Sequence, residues 1–554
     1  MSIDYVKLVR DKEADQSDLF QRMDDDKQLL YLEKYELKDL SGTKVPDIIN
    51  ITLNDPAVFA ANVIASLGSA SQQAVVESED KKLDTTYIEL FQQAVFDGAN
   101  ARLRTQGRPE LNPFFDEQFC IRGRTGARIL LRVEDGVVVP DIMPWDGRYL
   151  TYEVGSSGLS WAAYKTTRSK GLIEAEYGKV ISGKTAEVLD IWTPDHNEVW
   201  IEKSQVLEQG HAYGFVPVVI QVVSSGSLLQ DSDSLSHQGE SIFFLIRDII
   251  PELNRLASIL QTLNFAAVKR ALLWKTREGV GAEPPTHQDL TGFGRVTSAE
   301  IGGGAEPIPV EDIRRAALML HSMMDTRMQR GSLSSIDLGT LSFPLSAIAL
   351  MELSEGRNQV QLPRLQAKAL MNQGLAEMFT AQVLQMEGSM RLGIKGHERT
   401  WDTQKLEGEY TTSYKYFTKS PKLDIARFSM AREAANYLDE DTIRREILQL
   451  QDPDGVKKKR FYDMAALVSP AVLKLRILKS LVAQNEDFEA ELFAAELGMT
   501  VKQMLAGELP KPPELPGPGK PRESLLPLLE AGGGRTQRAQ EVGIGQSFEA
   551  EGEE

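Results

Sequence analysis

Eight residues come first, because their types and spacing could bind a nucleotide. The stretch GKVISGKT, Gly178–Thr185, matches the G-x-x-x-x-G-K-[ST] pattern. In a phosphate-binding loop, the glycine-rich backbone amides would cradle phosphates, Lys184 would reach the terminal ones, and Thr185 would hold Mg²⁺. That chemistry needs a buried strand before the loop and a helix N-terminus after it. Here LIEAEY precedes, which is charged, and AEVLDIW follows, which reads as another strand turning at Pro194–Asp195. Ser182–Gly183 then fits a hairpin turn with Lys184 in solvent, and the match reads as chance. An ATPase motor using Lys184 and Thr185 is the enzymatic alternative.

Other reactive residues form no constellation. The six histidines, at 196, 211, 237, 287, 321 and 397, include no H-x-x-x-H pair of the kind that binds zinc. They read as isolated surface or capping residues. Cys120 is the single cysteine, so no intrachain disulfide is possible, and it reads as a small hydrophobe. No G-x-S-x-G elbow occurs. The acidic pairs Asp24–Asp26 and Glu551–Glu554 sit in charge runs and read as solvated faces or tails. The expectation is a chain with no catalytic residues, metal or cofactor.

The basic residues are more suggestive. Lys269, Arg270, Lys275 and Arg277 end one helical stretch, and Arg314, Arg315, Arg327 and Arg330 lie on the next. They suit ion pairs between helices or snorkelling surface chains; the sharper reading is phosphate contact along a pore. The run KKKR at 457–460 reads as a solvated face.

The elements that would position these residues follow from composition and period. The chain has 554 residues, 62 basic and 80 acidic side chains, and a net charge of −18. Such a chain repels nucleic acid at long range, which argues against a tight DNA binder but not against a surface that DNA slides past. No apolar run nears the ~20 residues needed to span a bilayer, and the N-terminus lacks a signal-peptide core, so synthesis in the cytoplasm is expected. The apolar run FVPVVIQVV, 215–223, reads as a buried strand.

An amphipathic helix is expected around Leu19–Leu40, and two helices over 55–105, the first with Asp55 as N-cap and Pro56 in its first turn. From about 117 to 223 the period becomes two, with Asp-Gly, Gly-Ser and Pro-Asp turn signals, which predicts an antiparallel sheet region. Over 240–275, Ile242, Ile246, Ile249, Leu253, Leu256, Leu260 and Leu263 recur in steps of four and three, a heptad-like seam. Pro251 either kinks this helix or marks its true start. Residues 276–309 are rich in Gly and Pro; helix resumes at 311–329 and again over 346–392, where Pro363 must bend it. Residues 424–506 read as shorter helices, and 507–554 as a disordered Pro/Gly-rich tail.

Between the last two long helical stretches lies QRGSLSSIDLGTLSFPLS, 329–346. It is too long for a helix–helix turn. Its Ser, Thr and Gly cannot build a core, yet Leu333, Ile336, Leu338, Leu341 and Phe343 make it unlike a linker.

This order of helices, β-rich domain, long helix, Gly/Pro-rich excursion, returning helix, loop and very long bent helix resembles the portal proteins of siphovirus-like tailed bacteriophages. Several stretches resemble theirs too: DIMPWDGRYLTYEVGSSGLSW, EVLDIWTPD and HAYGFVPVVIQ the wing, IIPELNRLASILQTLN the stem, and DIARFSMAREAANYLDEDTIRREILQLQDPDGVKKKRFYD the helices beyond. The resemblance covers roughly residues 30–480 and rests on order and spacing, since no single motif is diagnostic.

It implies an α+β portal fold: an N-terminal segment (1–50), a mixed wing domain (51–235), a stem helix (236–275) and a small clip (276–309). A returning stem helix (310–330), a tunnel loop (331–345), a long bent wing helix with its return (346–423), an α-helical crown (424–506) and a disordered tail (507–554) complete it. The implied function is structural: a homo-oligomeric ring, usually a dodecamer, at one capsid vertex, through which double-stranded DNA is packaged and ejected. Implied partners are the terminase large subunit, then the head–tail adaptor, and capsid and scaffold proteins, with no membrane. The implied location is the virion, after assembly in the host cytoplasm. Arg327, Arg330, Ser334, Ser335, Asp337 and Thr340 would face the DNA channel, Lys269, Arg270, Arg314 and Arg315 would be the stem's basic residues, and Arg277, Phe293 and Arg295 the clip interface. A helical adaptor that uses the seam for partner helices is the remaining alternative.

Overall fold

The computed structural model describes residues 4–80, 83–134, 136–226, 229, 231–268, 272–275, 304–307, 318–324, 326–328, 347–386, 388–394, 396–417, 421–450, 453–483, 487–497 and 499–506. The architecture is mixed α+β. The chain divides into two compact units, Met1–Lys457 and Lys458–Glu554.

The first unit opens with α1 (Tyr5–Asp15), whose first turn is capped by the Asp4 carboxylate accepting the Lys7 N–H. Helix α2 (Ser17–Leu30) buries Leu19, Phe20 and Met23 and ends ten residues earlier than its amphipathic pattern suggests. Leu32 takes φ +52° just beyond it, which breaks the helical path. Helix α3 (Asp55–Gly68) has Pro56 in its first turn, but Asn54 rather than Asp55 is the capping position. Strand β1 (Ser71–Glu77) and helices α4 (Thr85–Thr105) and α5 (Leu111–Ile121) follow.

The period-two region is antiparallel as a meander, yet it belongs to two sheets. Strands β2 (Arg124–Glu134) and β3 (Val137–Asp146) form a hairpin whose turn uses Gly136 at φ +76°. Strands β4 (Leu150–Gly155), β5 (Gly158–Ser169), β6 (Thr185–Trp192), β7 (His196–Ile201) and β8 (Ser204–Gly210) form a second sheet in sequence order. Helix α6 (Lys170–Tyr177) lies in the β5–β6 connection, where the sequence pattern suggests strand. Strand β9 (Val218–Val222) returns to pair with β2.

The first sheet is completed from far along the chain. Helix α7 (Ile249–Val268) leads to β10 (Leu272–Lys275), which pairs with β11 (Gly304–Pro307). After the long helix Ala347–Leu384 come β12 (Ser389–Leu392), β13 (Arg399–Asp402) and β14 (Thr411–Phe417). The order β13-β12-β3-β2-β9 makes this sheet mixed, because β12 runs parallel to β3. Strand β14 pairs antiparallel with β1, from Ser71 opposite Phe417 to Glu77 opposite Thr411.

The long helix runs through Pro363 and stops at Leu384, so the stretch expected to stay helical to 392 ends in strand β12. Met371, Leu375, Phe379 and Val383 recur at helical spacing and enter one core with Phe91 and Val95 of α4, Phe115 and Phe119 of α5, Ile129, Leu392 and Trp401. The Phe91 ring lies 6.0 Å from that of Phe379 and 5.5 Å from that of Trp401. Gly374 lets this helix approach β9: a Cβ there would sit 2.9 Å from Val219 Cγ1.

The second unit holds the end of helix Pro453–Val468 and helices Pro470–Ala483, Asp487–Glu496 and Val501–Leu505. The break before Pro470 agrees with the sequence pattern. Its core is small: Leu478, Ala490, Ala494 and Met504. The last helix is fastened by a reciprocal Thr500–Gln503 capping box. Among the described residues, no helix is long and apolar enough to cross a membrane.

Candidate functional site

Helix α7 and its surroundings lie between the segments that the sequence suggests for a channel. Pro251 occupies the first turn of α7, so it marks the start of the helix and does not kink it. Ile242 and Ile246 therefore precede the helix, in turns, although both are buried with Leu253 in one cluster. Leu256 is buried too, while Leu260 and Leu263 are half-buried. The seam is a core face at its start and opens toward its end.

An extended segment runs along α7 in the opposite direction. The Ile49 N–H donates to Thr262 Oγ1 (3.0 Å), the Ile51 N–H to Ser258 Oγ (2.8 Å), and the Leu53 N–H to Asn254 Oδ1 (2.9 Å). The geometry explains the spacing. Four helical residues advance about 6 Å, and two extended residues about 6.6 Å. Polar side chains at i, i+4 and i+8 thus meet alternate backbone amides. Thr262 and Ser258 also donate to carbonyls one turn back, at 2.7 Å each, so their hydroxyls are fully engaged.

The turns before α7 are locked by buried charge. Arg247 donates to both oxygens of Asp26, at 2.8 and 3.0 Å, and to Glu240 Oε2 at 2.7 Å. Both carboxylates are fully buried. Burial opposes the charge on Arg247, but its bonds to Asp26 and Glu240 prevail and hold it above its ordinary range. Arg22 donates to the Ser236, Gln238 and Gly239 carbonyls and lies 3.6 Å from Glu240 Oε2. Arg364 of the long helix reaches the Glu240 carbonyl at 3.1 Å. The backbones meet closely here: a Cβ on Gly123, at φ +72°, would sit 1.6 Å from the Gly239 oxygen.

Asp24 and Asp26 therefore do not form a solvated face. Asp26 is buried against Arg247, and Asp24 accepts from Arg148 at 2.9 Å and lies 3.5 Å from Arg122. A signal was present in the sequence: Arg22 and Asp26 lie four apart on a helix that also presents Leu19 and Met23, so their face is the buried one.

The P-loop match lacks its geometry. Helix α6 ends before it with Gly178 in the left-handed region, and Thr185 opens strand β6 instead of a helix. Among the described residues, the stretch runs into a strand and not into a helix N-terminus, whose amides would hold a phosphate. Cys120 is buried, and burial pushes its thiol up to about 12. Among the described residues, no group of His, Cys, Asp and Glu could hold a metal ion. A polar cleft of about 360 Å³ lies between α4, α5 and β1, with Gln72, Glu89, Gln93, Asp97 and Asn112 on its walls.

Of the residues singled out for the channel, Arg327 is described; it is helical and exposed, one position before the buried Met328. Arg330, Ser334, Ser335, Asp337, Thr340, Lys269, Arg270, Arg314, Arg315, Arg277, Phe293 and Arg295 lie outside the described residues, as does the 331–345 loop. The expectation of disorder over 507–554 also falls outside them. Strands β10 and β11 are described at the borders of the Gly/Pro-rich excursion. Leu272 faces Pro307 and Lys275 faces Gly304, so the two ends of residues 276–303 meet.

No family model matches the chain, and no curated protein matches it. Among solved structures, one described as the neck of an empty GTA particle computed with C6 symmetry is similar over 71% of this chain and 88% of that chain. The identity is 13% and the TM-score 0.35.

Proposed function

We propose that this chain is a portal-type structural protein of a phage particle. Copies assemble as a ring around a channel, and double-stranded DNA passes through it during packaging and ejection. The terminase large subunit docks first and a head–tail adaptor later, with capsid and scaffold proteins around the ring. The protein carries no catalytic step of its own.

The observation that carries this reading is the segment order around α7. A braced helix leads into a two-stranded base, β10 with β11, which closes an excursion of 28 residues before the chain returns through helical residues 318–324 and 326–328. The excursion suits a clip, and α7 with the returning helix suits a stem. The net charge of −18 suits a conduit that must not hold DNA tightly. On this reading Arg327 and Arg330 would touch phosphate at the border of the tunnel loop.

Negative-stain electron microscopy of the full chain, with its solution mass, tests the proposal. Rings with a hole wide enough for duplex DNA are expected. A compact monomer or dimer at high concentration overturns it.

A further inference from the structure

One cavity in the first unit has no part in the channel reading. The cleft of about 360 Å³ between α4, α5 and β1 lies at the lower end of the ~300–1,000 Å³ that small-molecule sites occupy. All its walls belong to the Met1–Lys457 unit. What they offer a ligand follows from their hydrogen bonds.

One set of wall residues donates. Gln72 Oε1 accepts from the Tyr416 hydroxyl at 2.9 Å, Asn100 Oδ1 from the Leu111 N–H at 3.1 Å, and Asn112 Oδ1 from Asn372 Nδ2 at 3.1 Å. Each amide oxygen is engaged, so each of these three cleft residues presents its NH₂ group. A second set accepts. Asn372 is 2% exposed, and its Nδ2 is engaged by Asn112 and by the Tyr416 hydroxyl. Its Oδ1 takes no hydrogen bond among the described residues, although the residue lies on the cleft wall. An almost buried carbonyl without a donor is unfavourable, and it marks where a ligand hydrogen belongs. Glu89, which also accepts the Val76 N–H, and Asp97 lie about two turns apart on α4 and add carboxylate acceptors.

This arrangement selects the ligand. The described walls carry no Lys or Arg, and two carboxylates repel an anion. A cation would suit Glu89 and Asp97 but would be met by three amide NH₂ groups. An apolar group would leave every one of these polar atoms unpaired. A planar base needs a slot between parallel rings, and the wall rings of Phe96 and Tyr414 meet edge to face, 6.2 Å apart at 77°. A hydroxyl both donates and accepts, so a ring of hydroxyls satisfies both sets of walls at once. Ala74, Leu90 and Leu111 supply apolar wall for its C–H faces.

We propose that this cleft binds a neutral polyhydroxy compound, a mono- or disaccharide. Its hydroxyls accept from the amides of Gln72, Asn100 and Asn112 and donate to Asn372 Oδ1, Asp97 and Glu89. The site stands apart from the ring reading, because it needs neither a second copy nor DNA.

Saturation-transfer NMR on the full-length chain tests it. Glucose, galactose, sucrose and trehalose are the probes, with spermidine and inorganic phosphate as charged controls. At least one sugar shows transfer, titration calorimetry gives one site per chain, and the two controls show none. Gln93 and Asp97 line the cleft from exposed positions on α4, so the fold does not depend on them. Asp97→Leu removes an acceptor and weakens sugar binding about tenfold or more. Gln93→Trp fills the cleft and abolishes binding, with circular dichroism unchanged in both variants. Binding of spermidine or phosphate without any sugar overturns the hydroxyl assignment. A sugar signal of equal strength in both variants overturns the site, and so does silence from all four sugars.

Discussion

Ser258 Oγ accepts the Ile51 N–H at 2.8 Å while donating to the Asn254 carbonyl at 2.7 Å, and the serine is fully buried. One hydroxyl thus joins an extended segment to the helix beside it. Ser258→Ala removes the acceptor and leaves the Ile51 amide without its partner. A loss of about 1–3 kcal/mol in unfolding free energy is expected. Urea titration followed by circular dichroism checks it. Ser258→Thr keeps the hydroxyl and should cost less than the alanine.

A second prediction concerns the buried pair between α5 and the long helix. Lys368 Nζ lies 2.8 Å from Asp116 Oδ2, and both side chains are almost wholly buried. Burial raises the Asp116 carboxyl despite the lysine, so the charged form is held under strain. Lys368→Met strands that charge and should cost about 3–5 kcal/mol near neutral pH, with Asp116→Leu in the same chain recovering most of it. A carboxyl raised in the folded state contributes stability that is lost as pH rises through its folded value. The Lys368→Met deficit should therefore be smaller at about pH 4.5 than at pH 7, as unfolding titrations at both values would read.

His211 yields a pH dependence of the opposite sign. Burial lowers its ionisation below the ordinary imidazole value, although Nε2 lies 3.0 Å from the Thr193 carbonyl. A depressed histidine contributes stability that is present above about pH 6.5 and lost as pH falls through its folded value. Thermal unfolding between pH 7.5 and 5.5 should show a steeper decline for the wild-type chain than for His211→Asn. Equal slopes would remove His211 as the cause.

Cys120 should behave as packing. With its thiol pushed up to about 12 by burial, it is neither ionised nor accessible. A disulfide reagent such as dithionitrobenzoate should label no thiol in the native chain and one per chain in guanidinium. Rapid native labelling would show that α5 opens.

Where the sequence was legible, local chemistry decided the outcome. Pro56 sits in the first turn of α3, Gly107 takes φ +69° just beyond α4, and Gly136 makes the β2–β3 turn. Pro251 left two options open, and only the packing of Ile242 and Ile246 ahead of the helix decides for a start. Helix α2 shows the converse: its apolar period continues past Leu30, but the chain beyond is drawn out toward the segment bonded along α7. The β1–β14 pairing joins residues more than 300 apart, and no local signal announces it. Asp26 looked solvated because its partner Arg247 lies 221 positions away. Of the residues expected at a channel, spacing could name segments, and Arg327 alone has a described position, helical and exposed.

The pairing of Leu272–Lys275 with Gly304–Pro307 has a consequence for how such a chain can change over generations. Once two strands hold the ends together, the length between them bears weakly on stability, since each doubling of a loop costs only about 0.6 kcal/mol. The 276–303 insert is then a cassette, free to be lengthened, shortened or exchanged while the scaffold beneath it stays the same. Insertions and deletions across generations would then collect between Lys275 and Gly304, while the two strands that flank them keep their register.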